Sequence, residues 1–460
     1  MTDRIVPGGQ QSGEAPAGPQ LAGGKPYGKT AAILSLFVTG AGQLYHKQYG
    51  KGLLFLLTYI AGLYFSFTSL FANIAGLITL GDTPSGFAKN KQGLTVMVQG
   101  DHSIFMMIYG IASLLVFLIF VFIHVMNIRD AYVTGVKRER GVPAPSFRET
   151  VRRLQDKSFP YMLLTIPGLG VLFFTIMPII FMILLAFTNY NKDHLPPKNL
   201  VDWVGFKTFS NLLVYSQWAY TFWNVLLWTV IWAVVATVTC YFGGILVAML
   251  IQQKGVRFKG MWRTIFILPY AIPQFISLLI MKNMFNSQLG PINTYFRMLG
   301  LQGLPWLNDP FWAKVTIVFV NMWLGIPVSM VLVLGILTAI PKDLYEAAEV
   351  DGASSFQKFR NITLPYVLFA TAPLLIMQFA GNINNFNVIY LLTKGDPKTG
   401  EFAFAGTTDL LVTWLYKLTL DNQMYNIASA VGILIFLFIA SFSIWNFRRT
   451  RSFKEEEMLQ

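Results

Sequence analysis

A short segment near the start of the sequence has the residue types and spacing of a phosphate-binding loop. Residues 23–30 read GGKPYGKT and fit the pattern GxxxxGK(S/T), in which backbone N–H groups and the lysine hold nucleotide phosphates. Such a loop follows a buried strand and opens a helix of an α/β domain. This match instead follows a tail rich in glycine, proline and glutamine. We therefore interpret the match as coincidental and predict that the chain itself binds neither ATP nor Mg²⁺.

The side chains that most often carry catalysis or bind metals are few and scattered. The single cysteine, Cys240, lies in an apolar run and has no partner for an internal disulfide. The four histidines share no metal-ligand spacing; they are His46, His102, His124 and His194. The sequence therefore predicts no metal site, no cofactor bound by this chain and no catalytic residue.

Uncharged amides, by contrast, recur inside long apolar stretches. These residues are Gln274, Asn321, Asn382, Asn384, Asn385 and Asn387. In a membrane such groups are unfavourable unless they pair or line a cavity. Because an amide both donates and accepts hydrogen bonds, the cluster suits a neutral, hydroxyl-rich ligand, and Tyr270 or Trp323 would pack against sugar faces. Hydrogen bonding between helices is the alternative explanation for each amide.

The apolar stretches themselves predict an all-α polytopic membrane protein. Hydrophobic residues make up 54% of the chain and charged residues 12%. Eight stretches reach the roughly 20 residues that a helix needs to cross a bilayer. They cover residues 52–80, 103–127, 161–189, 219–251, 264–286, 311–340, 366–392 and 424–447. Residues 31–45 form a shorter stretch, interrupted by Gly40, Gly42 and Gln43, which favours an interfacial or re-entrant helix over a ninth span.

Positive charge predicts the orientation of these spans. With the N-terminus inside, 24 of the 35 Lys and Arg residues fall on the cytoplasmic side, where positive charge is retained. Both termini are then cytoplasmic, and the same asymmetry explains the net charge of +13 without a nucleic-acid partner. Residues 1–29 are predicted to be a disordered cytoplasmic tail, because they contain few large apolar side chains. Residues 451–460 form a second cytoplasmic tail.

One predicted cytoplasmic loop, residues 341–365, carries the most distinctive pattern in the chain. Pro341 precedes a helix start, and Asp343 in its first turn complements the helix dipole. Gly352 permits a turn, and Pro365 suits the start of the next helix. The sequence therefore predicts a short helix, a bend and a second short helix.

This loop reads EAAxxDGAxxxxxFxxIxLP from Glu346 to Pro365 and resembles the signature of permease subunits in bacterial binding-protein-dependent ABC importers. In that family the loop is the coupling helix that docks on a cytosolic ATPase. The resemblance therefore assigns the ATPase contacts to Glu346, Ala347, Asp351 and Gly352. It also implies a second homologous permease, two copies of an ATPase that bind ATP and Mg²⁺, and an extracytoplasmic sugar-binding protein.

The resemblance further implies a domain arrangement. Residues 159–450 would form a type I ABC importer permease core of six transmembrane helices. Residues 30–158 would form an N-terminal membrane region with the interfacial helix, two transmembrane helices and a basic cytoplasmic loop.

Four further motifs resemble one branch of this family, the larger permeases of maltose and maltodextrin importers. They are LPYAIP at 268–273, NMWLG at 321–325, NINNF at 382–386 and TDLLVT at 408–413. The resemblance places a sugar site halfway across the membrane, formed by Tyr270, Gln274, Asn321, Leu324, Gly325, Val328, Asn382 and Asn385. Gln274 and Val328 stand where the best-known relatives have a hydroxyl and an aromatic side chain. The short segment 190–218 stands where enterobacterial relatives have a large external domain.

The resemblance thus implies a subunit of an ATP-driven importer of oligosaccharides in the bacterial cell membrane. Maltose and maltodextrin are the first candidate substrates. An ABC permease for another sugar class is one alternative. An ion-gradient-driven secondary transporter is another, but such carriers need intramembrane ionisable sites, and the eight stretches contain no interior Asp or Glu. A membrane enzyme is disfavoured, because no nucleophile with a neighbouring base can be named.

Overall fold

The computed structural model describes residues 26–89, 94–156, 158–214, 216–253 and 255–449. Residues 1–25 of the first predicted tail and all of the second, 451–460, lie outside the described residues, as does the start of the phosphate-loop match. The chain divides into two compact units. The first contains Met1–Phe181 with Pro196–Val201, and the second contains Met182–Leu195 with Asp202–Gln460. This division by compactness falls within the third apolar stretch, and the predicted boundary between residues 158 and 159 stays a prediction.

Helices and one β-hairpin make up the first unit. Its first helices are α1 (Tyr27–Phe37), α2 (Ala41–Tyr45), α3 (Tyr49–Phe65) and α4 (Phe71–Thr79), the last two joined by a π-helical turn at Ser66–Leu70. Strands β1 (Gly86–Lys89) and β2 (Thr95–Val98) pair antiparallel, with Phe87 opposite Met97. Next come α5 (Ser103–Glu139), α6 (Phe147–Gln155), α7 (Phe159–Val171), a π-helical turn at Leu172–Ile176 and α8 (Met177–Leu185), where the two units meet in sequence.

Residues 31–45 form two short helices rather than one long one. Helix α1 has 11 residues, below the roughly 20 that cross a bilayer, and it begins at Tyr27, inside the predicted tail. The chain turns before α2 at Gly40, whose φ of 95° suits glycine. The Gly40 N–H donates to Asn127 Oδ1 on α5 at 3.2 Å, which holds the turn against that helix. By length, neither α1 nor α2 is a ninth span.

The second unit is mostly helical in its described residues. Its helices before the predicted cytoplasmic loop are α9 (Lys207–Val214), α10 (Ser216–Gln252), α11 (Lys259–Ala271), α12 (Gln274–Met284), α13 (Pro291–Met298) and α14 (Pro310–Ala339). The loop contains α15 (Lys342–Val350), α16 (Ser355–Lys358) and a π-helical turn at Phe359–Thr363. The remaining elements are α17 (Leu364–Ile383), α18 (Phe386–Leu392), α19 (Leu411–Tyr416), a π-helical turn at Lys417–Asp421 and α20 (Tyr425–Arg449).

Eight apolar spans are confirmed among the described residues if one broken helix pair counts as a span. Seven continuous helical segments are long and apolar enough to cross a membrane: Tyr49–Thr79, Ser103–Glu139, Phe159–Leu185, Gln217–Gln252, Pro310–Ala339, Ser355–Leu392 and Tyr425–Trp445. Helices α11 and α12 pass the same test together, with a bend of 90° between them. The prediction of an all-helical polytopic membrane protein is therefore confirmed.

The core of the second unit forms where α10 packs along α14. Trp232 on α10 and Ile317 on α14 are fully buried there. At Gly244 a Cβ atom would lie only 2.8 Å from the Met330 backbone nitrogen, so the helices approach more closely than a larger residue allows. This close packing fixes α14, which carries several of the predicted site residues.

Candidate functional site

Six of the eight predicted site residues line a single cavity in the second unit. The cavity has a volume of about 510 Å³. It is lined by Pro269, Tyr270, Ala271, Ile272, Pro273, Gln274, Asn321, Leu324, Gly325 and Val328. The structure thus brings together the end of α11, the start of α12 and the middle of α14. None of the ten lining side chains carries a charge.

The break between α11 and α12 forms one wall of this cavity. Helix α11 ends at Ala271, the next residue, Ile272, has extended backbone angles, and Pro273 precedes α12. Proline has no N–H to donate, so Pro273 cannot continue the hydrogen bonding of α11. The helix is therefore completely broken at Pro273, and the break leaves Tyr270 68% exposed beside the cavity.

Asn321 connects the cavity to the helices behind it. Its side chain is nearly buried, its Nδ2 lies 3.4 Å from Cys240 Sγ on α10, and its Oδ1 accepts from Asn385 Nδ2 at 3.3 Å. One turn further along α14, a Cβ atom at Gly325 would lie 2.5 Å from the same sulfur. Glycine at this position therefore lets α14 lie against α10 at the cavity floor.

Asn385 lies beside the cavity at a second helix break, which the sequence did not predict. Helix α17 ends at Ile383 and α18 begins at Phe386. Both positions lie inside the single span predicted from hydrophobicity for residues 366–392. Asn385 caps α18, because its Oδ1 accepts from the Val388 N–H at 3.4 Å. Its Nδ2 remains available to bond to Asn321, so the cap also ties α18 to α14.

A second amide pair ties α18 to α12. Asn387 Nδ2 donates to Gln274 Oε1 at 3.1 Å, and both side chains are exposed. Gln274 lines the cavity, so the polar lining continues from α12 onto α18. The cluster of amides predicted from the sequence therefore surrounds two broken helices.

Asn382 lies apart from the residues that line the cavity. It is 8% exposed, and its Nδ2 donates to Thr237 Oγ1 on α10 at 2.9 Å. Its backbone oxygen accepts from Trp232 Nε1 at 3.0 Å. This geometry matches hydrogen bonding between helices, so a sugar contact by Asn382 stays a prediction.

An aromatic cluster on α18 and α19 was not identified from the sequence. The rings of Phe386 and Tyr390 stack with centroids 4.8 Å apart and planes 19° apart. Tyr416 lies 4.9 Å from each of them, and all three side chains are half-buried. The sequence could have indicated this cluster, because Phe386 and Tyr390 are four positions apart and therefore lie on one face of a helix.

A buried ion pair holds the loop between α18 and α20. Lys417 Nζ lies 2.6 Å from Asp409 Oδ2, and Asp409 is almost completely buried. Burial raises the pKa of Asp409, and the Lys417 ammonium opposes that rise. Asp409 Oδ2 also accepts from the Gly406 N–H at 2.7 Å, so the carboxylate organises the loop. Among the described residues, no group of three His, Cys, Asp or Glu side chains is placed to hold a metal ion.

The predicted loop of two short helices is present as α15 and α16. Gly352 follows α15 with a φ of 73°, and its N–H donates to the Glu349 oxygen at 3.1 Å. The Ala353 N–H donates to the Ala348 oxygen at 2.9 Å, which completes a glycine-dependent helix end. Ser354 then starts α16 with a capping box.

The bend between α15 and α16 is further fixed by an ion pair. Lys358 Nζ on α16 lies 2.9 Å from Glu349 Oε1 on α15. The turn, the cap and this ion pair together give the loop a defined shape before any partner binds.

The four predicted coupling residues are exposed on this loop. They are Glu346, Ala347, Asp351 and Gly352. Val350 is 88% exposed on the face of α15 that also carries Glu346, and Phe356 on α16 is 67% exposed. Exposed apolar side chains bordered by charges are typical of a protein-binding surface. The loop therefore presents an exposed surface of defined shape.

Comparisons with known proteins agree with this arrangement. The family described as "Binding-protein-dependent transport system inner membrane component" matches residues 241–451. The chain is 40% identical to the galactooligosaccharides transport system permease protein GanP of Bacillus subtilis, over 93% of this chain and 99% of that protein. It is 38% identical to the maltodextrin transport system permease protein MdxF of the same organism, over 94% and 98% of the two chains.

Two further matches cover only part of this chain. The Escherichia coli maltose/maltodextrin transport system permease protein MalF is 39% identical over 57% of this chain and 52% of its own. In a crystal structure of a bacterial ABC transporter involved in the import of the acidic polysaccharide alginate, one chain is 25% identical with a TM-score of 0.54. That match covers 66% of this chain and 99% of the other.

Proposed function

The chain belongs to the inner-membrane permease components of binding-protein-dependent transport systems, and from this premise we propose that it is the membrane subunit of an ATP-driven oligosaccharide importer. The observation that carries the proposal is the uncharged cavity at the broken helix, with Tyr270, Gln274 and Asn321 as its polar lining. Amides and a tyrosine hydroxyl match a neutral ligand rich in hydroxyl groups. An acidic polysaccharide would need cationic side chains, and none lines this cavity.

Maltodextrin is the first candidate substrate, and galactooligosaccharides are the second. Both sugars are named for relatives that align with nearly the whole chain. Gln274 and Val328, in the cavity wall, are the positions where the motifs depart from the maltose branch. We propose that these two side chains set which linkage or chain length is accepted.

The partners follow from the exposed loop. We assign the binding of a cytosolic ATPase to α15 and α16, with Glu346, Ala347, Asp351 and Gly352 in the contact. Two ATPase copies, holding ATP and Mg²⁺, and a second permease would complete the membrane complex, and an extracytoplasmic binding protein would deliver the sugar. The chain would lie in the bacterial plasma membrane with both termini and this loop on the cytoplasmic side, where the positive charge accumulates.

A secondary transporter is the competing function, and the cavity lining argues against it. Such carriers use intramembrane ionisable groups as ion or proton sites. The described residues that line the cavity contain no carboxylate and no histidine. Co-purification of an ATPase with this chain would support the importer and oppose the secondary transporter.

Sugar-stimulated ATP hydrolysis tests the proposal directly. We expect that the full complex in proteoliposomes, with its binding protein, hydrolyses ATP faster when maltodextrins or galactooligosaccharides are added. Alginate oligosaccharides of matched length serve as the control and should give no stimulation, because the cavity lacks cations. Stimulation by the acidic sugars alone would contradict the assigned substrate class.

Removal of residues 2–24 tests whether the phosphate-loop match binds nucleotide. We expect nearly unchanged ATPase activity of the assembled complex. The Gly28 N–H, which would face a phosphate in a nucleotide site, instead donates to the Glu139 carboxylate at 2.8 Å. Lys29→Ala is the matched point variant and should also leave hydrolysis unchanged. Loss of nucleotide binding in both variants would show that the match is functional.

A further inference from the structure

A second large cavity, in the first unit, has no role in the proposed transport path. Its volume is about 530 Å³. It is lined by His46, Lys47, Gln48, Tyr49, Gly50, Lys51, Arg138, Pro143, Ala144, Pro145, Ser146, Phe147 and Thr150. Three of these residues, Lys47, Lys51 and Arg138, are cations, and none is a carboxylate. The cavity is therefore a basic pocket, in contrast to the uncharged cavity of the second unit.

Contacts around the pocket hold two of the cations in place. Lys51 Nζ lies 2.6 Å from Asp130 Oδ1, so this carboxylate outside the lining balances one charge. The Arg138 guanidinium lies 5.0 Å from the centre of the Tyr27 ring and 3.5 Å from His46 Nδ1. Burial lowers the pKa of His46, so the imidazole is uncharged near neutral pH.

Two of the cations have no counter-ion within the described part of the chain. No carboxylate of the described residues lies within salt-bridge distance of Lys47 or Arg138. The pocket thus keeps about two positive charges that an anion could neutralise.

Lys47 is held in a backbone conformation that favours glycine. Its φ is 60°, at the turn between α2 and α3. The turn is closed by bonds from the Lys47 N–H to the Leu44 oxygen and from the Gln48 N–H to the Gln43 oxygen, both 2.9 Å. A left-handed backbone is unfavourable for a residue with a side chain, and glycine would avoid this strain. A lysine at this turn gives up some stability and places a cation at the pocket.

The pocket lies at the end of a helix that exposes apolar side chains. Helix α3 begins at Tyr49, which lines the pocket, and continues with Leu53, Leu54 and Leu57, each more than half exposed. Phe147 also lines the pocket and is 55% exposed. Cations and aromatic rings at the end of an apolar span are the environment of a phospholipid headgroup, with the acyl chains along the span.

We infer that this pocket binds the phosphate of an anionic phospholipid headgroup, with Lys47 and Arg138 as the charge partners. The inference rests on the first unit alone and does not depend on which sugar is transported. A soluble phosphate compound would offer the same anion, but it would make no use of the exposed leucines of α3.

Lipid binding by the intact transport complex tests this inference. Phosphatidylglycerol is titrated into the purified complex, and bound lipid is counted by native mass spectrometry, with phosphatidylcholine as the neutral reference. We expect Lys47→Gly to weaken phosphatidylglycerol binding about fivefold, the effect of one cation near a membrane surface. Glycine accepts the positive φ, so this variant folds. Adding Arg138→Gln should weaken binding further, and Arg138→Lys should restore most of it.

Matched controls separate the pocket from general surface charge. Lys137→Gln and Arg140→Gln remove exposed cations that flank Arg138 but do not line the pocket, and both should bind the lipid as wild type does. Equal lipid affinity of wild type and the Lys47→Gly, Arg138→Gln double variant would overturn the inference. Binding of inorganic phosphate with no preference for phosphatidylglycerol would also overturn it, by assigning the cations to a soluble ligand.

Discussion

Gly352→Pro should abolish sugar uptake while the subunit still inserts and assembles. The native φ of 73° lies far from the φ of about −65° that proline requires. Proline also lacks the N–H that donates to the Glu349 oxygen. The substitution therefore removes the bend that fixes α16 relative to α15, and the ATPase would meet a surface of altered shape. Uptake by proteoliposomes, together with the amount of co-purified ATPase, measures the effect.

Gly352→Ala isolates the backbone contribution. A Cβ atom at Gly352 would meet nothing within 4 Å, so the only penalty is the left-handed backbone, about 1–2 kcal/mol. We expect reduced but measurable uptake from this variant.

Gly141→Pro is the matched control for Gly352→Pro. Gly141 has a φ of 79°, a Cβ atom there would also meet nothing, and its N–H donates to the Arg138 oxygen at 3.0 Å. It follows α5 in the first unit and is not part of the coupling loop, so its replacement should leave ATPase binding intact. Wild-type uptake by Gly352→Pro would remove the coupling assignment.

The transmembrane spans were predictable because each must be long enough to cross the bilayer and must consist mainly of apolar residues. Hydrophobicity located all eight, and the structure shows that the fifth is broken at Pro273. The break in the seventh span was not predicted, because no proline precedes α18. The chain leaves the helix there through Asn384 and Asn385. The Asn385 side chain stabilises the break by capping α18 and by bonding to Asn321.

The cavity residues were found through resemblance, whereas their hydrogen bonds required the structure. Asn382 and Asn385 have the same side chain, but their partners differ. Asn382 bonds to Thr237 behind the cavity, whereas Asn385 bonds to Asn321 in the cavity lining. Helical periodicity cannot separate them, because the helix ends between the two positions. The ion pair of Asp409 and Lys417 could not be predicted from the sequence either, because its members lie eight positions apart on either side of α19.

Asn321→Ala should sharply reduce both uptake and sugar-stimulated ATP hydrolysis. The change removes a polar group from the cavity lining and leaves the Asn385 amide without its acceptor. Each hydrogen bond lost to the sugar should weaken apparent affinity about 2- to 10-fold, and an unsatisfied buried amide adds to the loss. Half-saturating sugar concentration, measured with the assembled complex, reports the effect. Asn283→Ala, on the exposed end of α12, is the control and should change little.

Asn382→Ala and Asn385→Ala separate sugar contacts from links between helices. If Asn382 only joins α17 to α10 through Thr237, its loss should lower the melting temperature of the complex and leave sugar preference unchanged. Asn385→Ala should shift sugar preference, because Asn385 bonds to Asn321 beside the cavity. Should uptake and sugar preference both survive the combined alanine replacement of Asn321, Asn382 and Asn385, the amides serve only to hold the helices together, and the sugar binds elsewhere.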